Sequence, residues 1–370
     1  MEKNRVVTEP PIRQAVLEKG LDDNAYVEEV CRRLPPTCAV AEARSKNETG
    51  RGGPYDLEKD VVHLMDYKGE FLKPCPGTRE YICCGYQILN IGTNCPLDCS
   101  YCILQSYVNQ PRLRVFTNIR EALPHVFEFI DMHPNRIFRI GTGEFTDSLA
   151  LDPLMKWSDF LLSSFSKRKN VILELKTKTG AVNGLLASPY RERIVVSWSL
   201  NSAHIAAREE KGGISIQKRI QTAQRLQREG FVVGFHFDPL ICHPGWKAEY
   251  LKTIDLMVRY LDPKRIIWTS LGSFRFMPQL KRIIRKRHPK TEILNGEFIR
   301  GLDGKMRYFR PIRTELYRFI SENLKEWYPQ LGLYLCMESD DVWRESMGWS
   351  PRVSSGLSDY LDSRVRDVFG

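Results

Sequence analysis

From Tyr86 onward, apolar runs rich in β-branched residues alternate with amphipathic stretches. The runs predict strands over 86–92, 136–141, 171–177, 193–200, 231–239 and 265–272. Between them, helical periodicity predicts helices over 119–132, 153–166, 180–187, 202–211 with 216–229, and 248–261. Strands each separated by a helix imply parallel pairing through right-handed crossovers. The expected class is therefore α/β, either an open sheet or a full or partial barrel. In each form the chemistry belongs at the carboxyl ends of the strands.

The flanks read differently. Residues 1 to about 74 are polar and irregular, with one helix candidate over 12–34 and a loop-like stretch from Ser45 to Pro54, which suggests a wrapping extension. After Gly272 the alternation weakens, and 277–288 reads as a basic helix carrying Lys281, Arg282, Arg285, Lys286 and Arg287. Segments 297–302 and 305–310 flank Asp303-Gly304, a strong hairpin signal. The expected organisation is an extension over 1–84, a core over 85–275 and a C-terminal region over 276–370.

Composition narrows the class. The 370 residues are 42% hydrophobic and 27% charged, enough to bury a large core. No apolar run approaches the 18 or so residues of a membrane span. The charged start MEKNRVVTEPPIRQ lacks the apolar stretch of a secretory signal, so a cytoplasmic protein without a membrane partner is expected. In that compartment ten cysteines read as thiols or metal ligands before disulfides. A net charge of +10 favours a polyanionic partner.

Directly after the first predicted strand stand Cys95, Cys99 and Cys102, spaced C-x3-C-x2-C, with Tyr101 before the third. Three thiolates on one loop can hold three irons of a [4Fe–4S] cube and leave the fourth open to an outside ligand. A zinc site would need a fourth protein ligand, and no Cys or His follows at finger spacing. At later strand ends, Gly141-Thr142-Gly143-Glu144 offers close backbone approach and an acid that could accept from an ammonium. Lys176 or Lys178 could meet a carboxylate there, and Ser197, Ser199 and Asn201 are small polar groups suited to ribose and carboxylate oxygens.

Cys95, Cys99, Tyr101 and Cys102 resemble the cluster motif of the radical S-adenosylmethionine superfamily. The resemblance implies a partial (β/α)6 barrel of the TIM type, in agreement with the six strands. It also implies a [4Fe–4S] cluster whose open iron is chelated by S-adenosylmethionine, which is cleaved to a 5′-deoxyadenosyl radical.

A narrower likeness is to the spore photoproduct lyase family, whose radical enzymes split a thymine–thymine adduct in DNA. It rests on the cysteine motif followed by Leu104-Gln105, on Thr146-Asp147-Ser148, Thr177-Lys178 and Ser199-Leu200-Asn201. Arg219-Ile220, the run from Gly230 to Phe235, and Gly245-Trp246 extend it. The likeness implies cofactor contacts at Tyr101, Thr146, Lys178, Ser199 and Asn201, selecting Lys178 over Lys176. It also implies an electron donor such as flavodoxin or ferredoxin.

The sequence departs from that family at the hydrogen-return path. Where the lyases carry a hydrogen-donating cysteine, this chain has Glu144 or Phe145, and where a tyrosine often follows the third cluster cysteine it has Ile103. Cys242, at the end of the fifth predicted strand, and Cys336 are the substitute donors. The other outcome is a sister branch acting on a different nucleotide or other substrate.

Nucleic acid is the expected partner on charge. The hairpin presents Arg300, Lys305, Arg307, Tyr308 and Arg310 and leads into Arg313, cations for phosphates interleaved with rings for bases. The family likewise grips lesion DNA with a hairpin near its C-terminus. A nucleic-acid-binding protein with a structural metal site is the non-enzymatic alternative. His236, His243 and His288 read as hydrogen-bonded structure, Cys83-Cys84 as packing, and Asp238-Pro239 with Trp198 as barrel lining. Cys31, Cys38 and Cys75 lie too far apart to interpret.

Overall fold

The computed structural model describes residues 12–43, 55–107 and 110–370. The loop expected over Ser45 to Pro54 lies outside them, as does most of the charged start of the chain.

Eight strands form the main sheet, and their spatial order follows the chain: β1 (Leu72–Pro74), β2 (Gln87–Leu89), β3 (Phe138–Gly141), β4 (Val171–Thr177), β5 (Ile194–Ser199), β6 (Val232–Leu240), β7 (Ile266–Ser273) and β8 (Leu333–Leu335). All neighbours are parallel except β1, which runs antiparallel to β2. The six strands expected from sequence are β2 to β7. β8 adds a seventh parallel strand from the apolar run 331–337, which is too short for periodicity to distinguish from buried loop. The sheet curls into a partial barrel. Across its seam the Ile82 N–H donates to the Glu338 carbonyl at 3.0 Å, tying the chain before β2 to the chain after β8.

Strand alternation divides each strand into a helix-facing and a lumen-facing set. Outward Leu173, Leu175 and Val196 are buried against the surrounding helices, α1 (Ile119–Asp131), α2 (Trp157–Phe165), α3 (Ile216–Arg228) and α4 (Trp246–Tyr260). α3 shows why these segments are helical: Ser215 caps its start by accepting from Lys218 N, and Ile216, Ile220, Ala223 and Leu226 make one buried stripe. Inward positions are instead polar: Glu174 and Lys176 on β4, Ser197 and Ser199 on β5, His236 and Asp238 on β6, Ser270 on β7. Trp198 falls on the outward parity and donates to the Thr179 carbonyl at 3.1 Å, so it does not line the interior as expected.

Two local expectations are corrected. The helix expected over 153–166 is broken at Lys156, which adopts φ 55°. Asp152 holds the break by accepting from the Ser158 N–H at 2.8 Å and hydroxyl at 2.6 Å. The polar N-terminal segment is not an irregular wrap. Ala39–Glu42, Gln14–Leu17, Glu58–Met65, Arg112–Phe116 and Gly92–Thr93 form a second sheet in that order, joining this segment to the chain beside the cysteine loop. Within the expected helix 12–34, only Ala25–Arg33 is helical, begun by Asn24, whose Oδ1 accepts from Tyr26 N and Val27 N. No described helix is long and apolar enough to cross a membrane.

After β7, α5 (Pro278–Arg287) is the expected basic helix. Phe298–Arg300 and Met306–Tyr308 form the expected hairpin, extended by Arg275–Phe276 into a three-stranded sheet. α6 (Arg310–Trp327) follows.

Candidate active site at the barrel mouth

The cysteine loop leaves the end of β2 through Asn94, whose φ of 70° makes the turn. Its side chain fixes that turn, with Oδ1 accepting from Cys95 N at 3.0 Å and Nδ2 donating to the Pro111 carbonyl at 3.2 Å. Gln105 spans the loop from beyond, donating to the carbonyls of Cys99, Ser100 and Cys102. Asp98–Cys99 pairs antiparallel with Glu210–Lys211. Arg287 of α5 reaches in to Asp98 at 2.7 Å and donates to Oε1 of the Gln105 side chain. Burial pushes the Cys95 thiol up to about 12 and the Cys99 thiol up as well. Among the described residues, no three His, Cys, Asp or Glu side chains form a ready cage for a single metal ion.

Behind the loop, the Tyr101 hydroxyl donates to Glu210, which is ion-paired with Arg219 at 2.6 Å. Lys178, at the end of β4, places its ammonium 5.6 Å from the centre of the Tyr101 ring. Burial opposes its charge, but Cys99 and Glu210 more than offset that and raise its pKa. Asp147 anchors this strand end, accepting from Lys178 N at 2.8 Å, from the Thr177 hydroxyl at 2.7 Å, and from Leu149 N and Ala150 N. Next to it, Thr146 Oγ1 is buried without a hydrogen-bond partner.

The set fits the cofactors that the resemblance implies. Three thiols on one braced loop suit a four-iron cube with an open corner. The Lys178 ammonium, without a hydrogen-bonded partner among the described residues, and an orphaned hydroxyl at Thr146 suit a ligand that carries both carboxylate and hydroxyl groups. Ser199, on the inward parity of β5, is 7% exposed beside them.

Other expected contacts have different duties here. A Cβ at Gly141 would meet the Tyr86 hydroxyl at 1.6 Å, and one at Gly143 would meet the Lys176 Cβ at 2.8 Å. Both glycines make room for neighbouring side chains. Glu144 is ion-paired with Lys176 and is not a free acceptor. Asn201 is fully used inside the protein, donating to the Pro239 carbonyl at 3.0 Å and accepting from Tyr250 at 2.6 Å and Ser202 N at 3.0 Å.

Deeper in the lumen lies a network that sequence reasoning missed. Glu174 accepts from Tyr86 at 2.7 Å, from Trp268 at 2.8 Å, and from the Ser197 hydroxyl, and meets His236 Nε2 at 3.0 Å. The other ring nitrogen of His236 meets the Ser270 hydroxyl at 2.7 Å. Burial works against the Glu174 charge, yet His236 and the donors hold its carboxyl far below the ordinary range. Above it, Asp238 takes both arms of Arg275, at 3.1 and 2.9 Å. The available signal was parity: one polar residue at alternate positions inside otherwise apolar strands.

The hairpin does not carry the expected phosphate-binding face. Lys305 and Arg307 are buried and paired with Asp303, and Arg307 also donates to the Met337 carbonyl at 3.1 Å. Tyr308 is buried and stacks on Phe298 with ring centres 4.8 Å apart. Arg313 is buried against Glu338, and Arg310 is paired with Glu345 on the surface. Arg300 and Arg310 keep exposed positions, Arg310 within its ion pair. Lys305, Arg307 and Tyr308 turn into the protein, which makes three of the five expected ligands structural. Cys242 donates its N–H to the Tyr308 hydroxyl, and the carboxylate acting on its thiol is Glu315 of α6, outside the barrel.

The sequence model described as "Spore photoproduct lyase" matches residues 83–334. The chain belongs to that family. Similar curated proteins are the spore photoproduct lyases of Geobacillus sp. (strain Y412MC61), 26% identical over 206 residues, and of Clostridium acetobutylicum, 22% identical over 330 residues. The first match spans 55% of this chain and 60% of the relative, the second 85% and 96%. A solved spore photoproduct lyase complexed with dinucleoside spore photoproduct superposes with a TM-score of 0.78 at 20% identity, covering 88% of this chain and 100% of that one. Another, a variant with bound AdoMet and dinucleoside spore photoproduct, gives 0.77 at 20% identity over 90% and 100%. The partial barrel is thus the fold of the family.

Proposed function

We propose that this protein is a radical S-adenosylmethionine enzyme that repairs a thymine adduct in DNA. The observation that carries the reading is the convergence, at the ends of β2 and β4, of the braced cysteine loop, Tyr101, Lys178 and the orphaned Thr146 hydroxyl over a polar lumen. Cys95, Cys99 and Cys102 would hold a [4Fe–4S] cluster, and Lys178, Thr146 and Ser199 would hold S-adenosylmethionine. When bound and reduced, that pair supplies a 5′-deoxyadenosyl radical. The protein's part is positional. Asp147 fixes the strand end that carries Lys178, and Glu210 with Arg219 fixes Tyr101. The hydrogen bond from Ile82 N–H to the Glu338 carbonyl ties the two ends of the sheet together across the seam.

A DNA-derived substrate is supported by the dinucleoside photoproduct that two of the structural neighbours carry. Arg282, Arg285 and Lys290, exposed on and just after α5, supply a basic surface beside the cysteine loop. An electron carrier such as flavodoxin or ferredoxin would reduce the cluster, and the thiol-rich composition supports a cytoplasmic setting. One observation favours a second reading, radical chemistry on a different nucleotide: Glu144, which with Phe145 stands by resemblance where the family carries its hydrogen-donating cysteine, is ion-paired with Lys176.

Anaerobically reconstituted protein, reduced and given S-adenosylmethionine and irradiated DNA, should contain four irons, release 5′-deoxyadenosine and restore thymines detectable by mass. Cys99→Ala should lose all three. Iron-free, colourless protein, or a Cys99→Ala variant that still releases 5′-deoxyadenosine, overturns the enzyme reading. Release of 5′-deoxyadenosine without thymine turns the assignment to the second reading.

A further inference from the structure

β8 brings a phenol and a thiol into the lumen together. Its register sets Tyr334 beside Ser270, whose hydroxyl bonds the lumen residue His236, so Tyr334 shares the inward face. The ladder continues past the strand, with Cys336 N donating to the Leu271 carbonyl at 2.8 Å, and two residues on from Tyr334 the Cys336 side chain faces the same way. Leu333 and Leu335, on the opposite parity, are buried toward the helices. Arg275 confirms the placement, its Nη2 lying 3.3 Å from Cys336 Sγ while the same guanidinium grips Asp238. The Tyr334 ring is 8% exposed, and its hydroxyl has no hydrogen-bond partner among the described residues. Its electrostatic neighbours are Cys84, Glu174, Cys336 and, with opposite sign, Arg139.

We propose that Cys336 is the hydrogen-atom donor to the product radical and that Tyr334 restores its thiol, an inference that rests on the radical reading above. Breaking the bond between two thymines after hydrogen abstraction leaves a carbon-centred radical on one of them. That carbon forms a C–H bond as the Cys336 S–H bond breaks, which leaves a thiyl. The thiyl takes a hydrogen atom from the Tyr334 O–H. The tyrosyl returns to the phenol with one electron from the carrier that reduces the cluster and one proton from water, and 5′-deoxyadenosine leaves as product. Burial holds the Cys336 thiol well above its ordinary range, with Asp238 adding to that and Arg275 opposing it, so the sulfur keeps the hydrogen it must donate. The pair stands in for the two groups that Glu144 or Phe145 and Ile103 replace.

The test uses reconstituted full-length protein with a dinucleoside thymine adduct in deuterated water. Wild type should place deuterium in the thymine product. Cys336→Ala and Cys336→Ser should give at least tenfold less thymine for each 5′-deoxyadenosine formed, with other adducts in its place. Tyr334→Phe should make thymine in a first turnover and then slow at least tenfold, because the Cys336 thiyl is not restored. Unchanged products in both Cys336 variants, or diverted products in Cys84→Ala, overturn the assignment. Absence of 5′-deoxyadenosine from every protein, wild type included, overturns the radical reading instead. A readout independent of turnover is iodoacetamide labelling followed by peptide mass spectrometry. The dinucleoside adduct should slow labelling of Cys336 at least fivefold, and no protection counts against the assignment.

Discussion

The Arg219 guanidinium lies 2.6 Å from the Glu210 carboxylate, and neither side chain reaches solvent. Arg219 also donates to the carbonyls of Ser199 and Ile214, and Glu210 receives the Tyr101 hydroxyl, so one buried pair joins the end of β5 to the cysteine loop. A buried pair gains little net stability against an apolar replacement, but removing one partner strands the other charge.

Arg219→Met should therefore cost about 3–5 kcal/mol in chemical unfolding. The double variant Arg219→Met with Glu210→Leu should recover most of that loss, because no charge is left buried. Equal losses in single and double variants would show that packing, and not the stranded carboxylate, sets the cost.

Asp238 supplies a pH test. Burial alone would push its carboxyl up, but Arg275, with Lys176 and His236 behind it, holds it below the usual carboxylate range. Cys336 is the remaining titratable group that faces it. A depressed folded value means that ionised Asp238 adds stability above its unfolded value of about 3.9, and that this is lost as pH falls through the folded value. Asp238→Asn should be less stable than wild type from pH 5 to 8, with the gap closing below about pH 4. Urea midpoints measured across that range decide it, and a gap that does not change with pH would mean that the carboxyl is not ionised.

The parts legible in the sequence are those set by local spacing. Cys95, Cys99 and Cys102 lie within eight residues of one loop, and the order of β2 to β7 follows from runs whose length and composition suit buried parallel strands. The parts that were not legible depend on partners distant in the chain. Gln14–Leu17 reads as helix by periodicity but becomes a strand because Glu58–Met65 and Ala39–Glu42 lie on either side of it. Lys305 and Arg307 look like phosphate ligands until Asp303, Met337 and Glu338 are folded against them. Charge in a sequence names a preference for anions, and only the fold decides whether that anion is a phosphate or a carboxylate of the same chain.

The same argument relocates the proposed DNA-binding surface. Arg307 is buried between Asp303 and the Met337 carbonyl, with its guanidinium 4.2 Å from the centre of the Tyr81 ring. Arg307→Ala should leave Asp303 underpaired and cost about 3–5 kcal/mol of stability. It should not change the salt dependence of DNA binding under conditions where the variant is folded. Arg282 and Arg285, by contrast, stand exposed on α5 with no ion pair among the described residues. Arg282→Glu with Arg285→Glu should leave the unfolding midpoint almost unchanged. The slope of log K against log salt should become shallower by about 0.9 for each phosphate that the protein no longer neutralises. Fluorescence anisotropy with a labelled duplex at several salt concentrations makes the comparison. A slope that moves for Arg307→Ala and not for the α5 pair would return the DNA to the hairpin, and a slope that moves for neither would place it elsewhere on the molecule.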